Sequence, residues 1–265
     1  MTPFNKNITG YKNENEFVNY LNGKKISEMN PMFAEFLETL FGKLNGNNVI
    51  HAWNNYQKQK TDIYIEIKNK RKSISIKKGI KNSVHAEHIK KFVQFLKENN
   101  LSDVLINQFL KYHYGDGTAD GCGNKRISSA EYKIEHQAEI DCINQKLNND
   151  DCFIKKAVNK FILKGNTNIE SIDCIIYGIV EDFIWITKDE IINFLLSKKD
   201  EYSTGIHISH LTIQPMNRCL NKNPRYEKNR HYIQAKWYNI SDDIIEVMVN
   251  RNNSMVEPYP SYVKK

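Results

Sequence analysis

The sequence lacks paired cysteines and long apolar runs. Its five cysteines are scattered and form no CxxC pair: Cys122, Cys142, Cys152, Cys174 and Cys219. An odd, dispersed set is typical of reduced thiols, so we expect a cytoplasmic protein without a disulfide framework. No run approaches the length of a membrane span. Residues 1–17 lack the apolar core of a signal peptide, so neither a membrane protein nor a secreted one is expected.

The signatures of several enzyme and metal-binding classes are also absent. There is no GxSxG turn for a hydrolase nucleophile. The glycines of residues 114–129 form neither GxGxxG nor a phosphate-binding P-loop, and we interpret this segment as a loop. His207, His210 and Cys219 do not favour zinc, because strand residues three apart point to opposite faces and zinc needs four convergent ligands.

Basic and apolar residues are both plentiful. The chain has 265 residues, of which 40% are hydrophobic, which allows one large domain or two small ones with a sizeable core. Thirty-eight lysines and arginines against 31 acidic residues give a formal charge of +7, which is compatible with a nucleic-acid partner. Part of this excess lies in one short stretch: Lys68, Lys70, Arg71, Lys72, Lys77, Lys78 and Lys81.

That stretch belongs to residues 61–79, TDIYIEIKNKRKSISIKKG, where apolar and polar residues alternate on both sides of a charged turn. Such alternation predicts a β-hairpin with one apolar and one polar face. A tight turn around residues 69–72 would place Glu66 opposite Ser75. The apolar face would consist of Ile63, Ile65, Ile67, Ile74 and Ile76.

Asp62 and Lys77 fall on the polar face of this predicted hairpin, diagonal to each other and within reach of a shared ligand. An acid and a lysine at the buried end of a sheet face need a chemical reason, because each is costly to desolvate alone. Metal-assisted cleavage of a phosphodiester supplies one. Carboxylates hold Mg²⁺ and a lysine orients or activates the attacking water.

Asp62 followed by Ser75-Ile76-Lys77 resembles the PD-(D/E)XK motif of restriction endonucleases and their relatives. Thr61 stands where proline is common, and Ser75 stands where the second acid is usual. Some restriction enzymes carry serine there, with a glutamate supplied by the following helix. Glu87 is placed for that role in a predicted helix that Ser83 would cap, and Glu66 is the other candidate.

The resemblance implies a Mg²⁺-dependent endodeoxyribonuclease that cuts double-stranded DNA. The simplest case is a type II restriction enzyme that acts as a homodimer and has a cognate DNA methyltransferase encoded nearby. In this scheme Asp62 binds metal and Lys77 positions the attacking water. The implied catalytic and metal-binding residues are Asp62, Glu66, Ser75, Lys77, Glu87 and, from the helix that Pro31 opens, Glu35.

The predicted fold class is α/β. A restriction-endonuclease-like core, in the order helix, mixed β-sheet with the catalytic hairpin, and helix, would occupy residues 1–113. The Gly-rich loop 114–129 would lead to an α+β recognition and dimerisation part at 130–250. Residues 251–265 would form a loosely ordered tail.

Side chains that grip phosphates, read base edges or stack on bases recur in three regions. These are the surroundings of the hairpin, the Gly-rich loop 114–129 and the basic segment 214–237. The predicted DNA contacts are Lys70, Arg71, Lys72, Lys78, His85, Lys125, Arg126, Asn217, Arg218, Arg225, Arg230, Gln234 and Lys236.

Three alternatives stay open on the sequence alone. Asp173 with Gln234-Ala235-Lys236 resembles a D…QxK variant of the same motif and would place the nuclease site in the second half of the chain. The chain could be a non-cleaving DNA-binding protein that keeps the fold and has lost the acid at Ser75. It could also be a structure-directed or RNA-directed nuclease of a mobile element.

Overall fold

The computed structural model describes residues 10–57, 59–79, 83–123, 126–166, 170–201, 205–216 and 224–255. Within these ranges the chain is a mixed α/β structure with two β-sheets. No helix in the described ranges has the length and apolar character needed to cross a membrane. The strands are β1 (His51–Asn54), β2 (Ile63–Ile67), β3 (Lys70–Lys77), β4 (Ser83–His88), β5 (Cys174–Ile179), β6 (Asp182–Thr187), β7 (Ile206–Ile208), β8 (Leu211–Pro215) and β9 (Tyr232–Trp237).

Helices cover both sheets. In the described ranges, the α-helix Asp151–Val158 continues directly into a π-helical segment. A short 3-10 helix, Ile26–Glu28, connects the first two α-helices. The π-helix is Asn159–Lys164. The α-helices are α1 (Gly10–Leu21), α2 (Pro31–Phe41), α3 (Ile89–Glu98), α4 (Asp103–Tyr114), α5 (Ser129–Asn148), α6 (Asp151–Val158), α7 (Lys188–Ser197), α8 (Pro224–Glu227) and α9 (Ile240–Met255).

The two sheets do not follow the order of the chain. The first has the strand order β1-β2-β3-β5-β6, in which β3 and β5 are parallel and the other pairs are antiparallel. The second has the order β4-β9-β8-β7 and is antiparallel throughout. Strands from the second half of the chain therefore complete the first sheet, and β4 from the first half lies in the second. Each sheet therefore contains strands from both sides of the predicted division of the chain near residues 113–130.

The hairpin β2–β3 has the predicted faces and a different register. Lys68 and Asn69 both have positive φ, +50° and +61°, which is typical of a two-residue type I′ turn. Glu66 therefore pairs with Arg71, and the prediction that it lies opposite Ser75 was wrong. The apolar and polar faces are still the predicted ones, because the register differs from the predicted one by an even number of residues. An even shift keeps every side chain on the same face of the sheet.

The isoleucine face of the hairpin packs against α1 and α2. Ile63, Ile65 and Ile74 are fully buried in a cluster that includes Phe17 and Phe36. Burial of an aliphatic side chain of this size is worth about 1.5–3 kcal/mol, so these contacts fix which face of the sheet turns inward. The opposite face, which carries Asp62, Ser75 and Lys77, is left for the site.

Several predicted elements differ in the structure. Residues from Ser83 were predicted to start a helix, but they form β4, and α3 begins at Ile89 with the His88 side chain as its cap. The tail predicted from residue 251 is in part helical, because α9 runs to Met255. At the start of α7, Thr187 and Glu190 form a capping box, as the spacing of a threonine and a glutamate three residues later indicates.

Candidate active site

The polar face of the hairpin brings Asp62, Ser75 and Lys77 together, and we call these residues the Asp62 set. One carboxylate oxygen of Asp62 accepts hydrogen bonds from the Ser75 hydroxyl at 2.9 Å and from the backbone N–H of Ile76 at 2.6 Å. The Lys77 ammonium lies 3.3 Å from the same oxygen. The predicted proximity of Asp62 and Lys77 is thus confirmed.

The backbone explains this convergence. Asp62 lies just before β2, where its N–H donates to the carbonyl of Ile74 on β3 at 2.9 Å. This contact extends the ladder of the hairpin by one step and places Asp62 opposite Ser75. Lys77, two residues further along β3, points to the same face because strand residues alternate. The carboxylate and the ammonium meet where β2 begins and β3 ends.

Glu14 of α1 is a second acid at this end of the sheet. Burial raises the pKa of Glu14, and the negative charge of Asp62 raises it further, whereas Lys77 and Lys78 act in the opposite direction. Glu14 is absent from the site residues predicted from the sequence. A signal was present, because Asn13, Phe17 and Leu21 recur at helical spacing and are all buried in α1, which puts Glu14 at the edge of the buried stripe.

Lys60 is a second amine that interacts electrostatically with the Asp62 set. Its ammonium donates to the carbonyl of Val84 on β4, a contact that joins the two sheets. Burial lowers the pKa of Lys60 to about 7, with a further contribution from the charge of Lys77, and Asp62 opposes the shift. Two carboxylates and two amines therefore interact electrostatically at this end of the sheet.

This donor set suits a divalent cation of the Mg²⁺ type. Mg²⁺ takes oxygen ligands and is often held by only one or two carboxylates, with water filling other positions. Asp62 and Glu14 supply that number. Burial is the main cause of the raised pKa of Glu14, and the negative charge of Asp62 is the second. Among the described residues no group of three or more histidine, cysteine or acidic side chains is placed to hold a metal ion, so a cation here would have at most two protein carboxylates.

Glu87, a predicted metal ligand, lies on β4 rather than on a helix. Its carboxylate is fully buried, 2.9 Å from the ammonium of Lys160 and 3.4 Å from Nε2 of His85. Burial alone would raise the pKa of Glu87, but His85 and Lys160 outweigh burial and hold it below its usual range. The described contacts of Glu87 thus serve an ion pair and do not include Asp62.

The other two predicted acids also lie apart from the Asp62 set. Glu66 pairs with Arg71 across the hairpin, near the turn and away from the end of β3. Glu35 is an exposed residue of α2, where its backbone carbonyl accepts from Thr39. Their predicted roles at a metal have no supporting contact among the described residues.

A second aspartate, serine and lysine meet at the edge of β3 that faces β5. We call Asp173, Ser73 and Lys72 the Asp173 set. Asp173 accepts from the Ser73 backbone N–H at 2.9 Å and lies 3.1 Å from the Lys72 ammonium. Gln234 and Lys236, its partners in the D…QxK alternative, lie on β9 of the other sheet. That alternative was wrong about which residues meet Asp173.

Four of the predicted DNA-binding residues lie on or just after β3. Lys70 is exposed at the turn, and Arg71 forms an ion pair with Glu170 at 3.0 Å. Lys72 is held by Asp173. The pKa of Lys78 is lowered by burial. Their role in binding DNA remains a prediction.

The predicted recognition residues of the second half have mixed positions. Arg126 is buried and donates to the carbonyls of His113 and Tyr114 at the end of α4. Arg230 forms an ion pair with Asp116 at 2.7 Å. Both guanidinium groups hold the Gly-rich loop to its surroundings. Lys125, Asn217 and Arg218, and the side chain of Arg225, lie outside the described residues.

Comparison with known proteins bears on the fold. No protein-family model matches the sequence, and no curated protein does. Among solved structures, the chain is similar to the restriction endonuclease MspI in a crystal structure with its cognate DNA. The TM-score is 0.51 at 14% sequence identity, and the match covers 86% of this chain and 88% of that one. The chain thus has the predicted restriction-endonuclease-like fold.

Proposed function

We propose that this protein is a Mg²⁺-dependent endonuclease that hydrolyses phosphodiester bonds in double-stranded DNA. The observation that carries the proposal is the Asp62 set, in which a carboxylate, a hydroxyl and an ammonium converge at one end of a hairpin. The likeness of the fold to a restriction endonuclease that binds DNA supports it. Fold alone would not be enough, because one fold hosts many functions.

Each residue has a role that its contacts support. Asp62 and Glu14 would hold the cation, which polarises the scissile phosphate and lowers the pKa of a bound water. Lys77 is held against Asp62 and presents its ammonium where it can orient the attacking water. Ser75 donates to Asp62 and so keeps one carboxylate oxygen fixed, leaving the other for the metal.

The finer form of the proposal is a type II restriction enzyme. Such an enzyme would act in the cytoplasm on a specific sequence, as a homodimer with one site for each strand. A cognate DNA methyltransferase would be encoded nearby to protect the host DNA. Discrete fragments from plasmid or phage DNA would support sequence specificity, and a uniform smear would contradict it.

The decisive experiment is cleavage of plasmid DNA with Mg²⁺ by the unaltered protein, Asp62→Asn and Asp173→Asn. Asp173→Asn is the matched control, because Asp173 also binds a serine and a lysine on β3. Loss of several kcal/mol of transition-state stabilisation would slow Asp62→Asn by on the order of a thousandfold. Asp173→Asn should cleave at close to the original rate. Equal activity of all three proteins would contradict the assignment of the site.

A second candidate is a non-cleaving DNA-binding protein on the same fold. The observation that favours it is Ser75, which occupies the position where the motif usually carries its second acid. In that case DNA would still bind with a strong dependence on salt, and Mg²⁺ would produce no cleavage by the unaltered protein. The plasmid experiment therefore separates the two candidates directly.

A further inference from the structure

Two adjoining clefts lie along the π-helix, one against β4 and the other against α3. The smaller has a volume of about 300 Å³ and is lined by Lys60, His85 and Lys164 among others. The larger, of about 560 Å³, lies between α3 and the end of α6. Gly165 and Asn166 line both, so the two form one continuous groove. We call it the lysine groove.

The described lining of the lysine groove is strongly basic. Glu98 is the one carboxylate among the described lining residues, and Gln94, Asn159 and Asn166 add amide groups that can donate hydrogen bonds. A concave surface with charge of one sign concentrates the field and attracts polyanions. The lysines of the groove are Lys60, Lys90, Lys91, Lys156, Lys160 and Lys164.

The groove is held in shape by buried contacts beneath it. Glu87 anchors Lys160 by an ion pair at 2.9 Å, yet the Lys160 side chain keeps 22% of its surface exposed. Lys160 belongs to the π-helix, a rare conformation that occurs frequently at functional sites. Gly165 ends this segment with φ of +71°, where a Cβ would approach the Lys60 side chain to 2.8 Å. The wall of the groove therefore needs glycine at this point.

The groove is connected to the candidate active site through Lys60. That residue lines the smaller cleft and is electrostatically coupled to both Lys77 and Asp62. Burial lowers the pKa of His85, and the positive charges of Lys60 and Lys160 act in the same direction against the contribution of Glu87. Lys60, Lys160 and Lys164 line the groove together with His85, and Lys60 couples this lining to the Asp62 set.

We propose that the lysine groove binds the sugar-phosphate backbone of the DNA strand that adjoins the scissile phosphate. This inference rests on the proposed function and adds a contact surface of which only His85 was among the DNA contacts predicted from the sequence. Lysine recognises phosphate as a point charge and gives no base selectivity, so the contact is independent of sequence. Glu87, expected at the metal, instead holds a phosphate-binding lysine in place.

The test compares two double variants with equal loss of charge. Lys91→Gln with Lys156→Gln removes two exposed lysines of the groove, and Lys43→Gln with Lys146→Gln removes two exposed lysines elsewhere. Binding to a fluorescent DNA duplex is measured by anisotropy from 50 to 300 mM salt, with Ca²⁺ in place of Mg²⁺. Each lost phosphate contact should reduce the slope of log Kd against log salt by about 0.9.

The groove variant should therefore lose about 1.8 from that slope, to a similar extent on unrelated DNA sequences, while the control keeps the original slope. Equal slopes for the two variants would overturn the groove and leave the proposed function standing, provided that the unaltered protein binds and cleaves DNA. A loss confined to one DNA sequence would contradict a backbone contact. No binding by the unaltered protein at 50 mM salt would contradict both proposals.

Discussion

The Asp62 set lies at the edge of strand β3 that faces β2, and the Asp173 set lies at the edge that faces β5. The two sets differ more in their surroundings than in their composition. Each joins an aspartate, a serine and a lysine. Asp62 comes from the antiparallel neighbour β2, and Asp173 lies before the parallel neighbour β5. The Asp62 side chain is 20% exposed and that of Asp173 is 32% exposed. Asp62 is electrostatically coupled to Glu14 and to Lys60, whereas the interactions described for these two residues do not include Asp173.

The comparison shows that three residue types in contact do not define a site. The Asp173 set pairs one negative with one positive charge and bonds the start of β5 to β3, as a structural ion pair does. Glu14 and Lys60 add a second acid and a second amine to the surroundings of the Asp62 set. Such an accumulation of charged groups costs desolvation free energy and is expected where charge is needed for chemistry. The surplus of charged groups, more than the triplet itself, distinguishes the candidate active site.

Replacement of the lysine in each set should produce the largest difference between the two sets, measured as the rate of DNA cleavage. Lys77→Met should reduce the cleavage rate by on the order of 10²–10⁴-fold, because a group that orients or activates the attacking water is lost. Lys72→Met, the matched change in the Asp173 set, should stay within about threefold. Single-turnover rates on plasmid DNA measure both. Comparable losses in the two variants would remove the distinction between the sets.

Lys60→Met should change the pH dependence of stability in the metal-free protein. The folded chain binds this proton less tightly than the unfolded chain, so the stability of the unaltered protein rises as the pH climbs from about 7 towards 10.5. Lys77, Asp62 and His85 face Lys60 and remain in both proteins. The rise relative to Lys60→Met should be about 2–4 kcal/mol.

Urea unfolding at pH 6.5 and pH 9.5 measures this difference for the two proteins. Lys164→Met, which changes another lysine of the same groove, serves as the control and should keep the pH dependence of the unaltered protein. Parallel pH profiles for the unaltered protein and Lys60→Met would show that Lys60 keeps its ordinary proton affinity.

Glu14→Gln should separate activity from stability. The apparent Mg²⁺ affinity should fall on the order of 10- to 100-fold. The metal-free variant should unfold at a slightly higher temperature at neutral pH, because the raised pKa of Glu14 means that its ionised form is penalised in the folded state. This gain should shrink as the pH falls and Glu14 takes up its proton. Glu16→Gln on the same helix is the control, and equal Mg²⁺ titrations for both would refute the metal role.

The smallest expected effect concerns the Asp173 set alone. Asp173→Asn should lower the free energy of unfolding by about 1–2 kcal/mol, because the contacts with Lys72 and with the Ser73 backbone are weakened on a partly exposed surface. Urea unfolding at pH 7 measures the change. An unchanged midpoint would show that this set contributes little to joining β5 to β3.

Features set by neighbouring residues could be predicted from the sequence. The alternation at 61–79 gave the faces of the hairpin and the meeting of Asp62 with Lys77, and Thr187 with Glu190 marked the start of a helix. The register could not be assigned, because the turn uses Lys68 with positive φ, a conformation that lysine rarely adopts.

Features set by distant residues could not be predicted. Residues 83–88 combine Ser83, a plausible helix cap, with side chains compatible with a strand. Pairing with β9, about 150 residues later in the chain, decides in favour of the strand. That choice moves Glu87 from the expected metal site into a buried ion pair with Lys160. Glu14 was missed for a similar reason, because only tertiary contacts bring α1 to the end of β3.

The parallel pairing of β3 with β5 has a consequence for how the protein is made. Chain synthesis proceeds from the N-terminus. About a hundred further residues must therefore be synthesised after β3 before its parallel neighbour β5 leaves the ribosome. The hairpin cannot settle into the finished sheet until residues 174–179 arrive. Contacts of such sequence separation also slow folding. A nascent fragment would carry Asp62 and Lys77 without the completed sheet, so the proposed cleavage activity should require most of the chain.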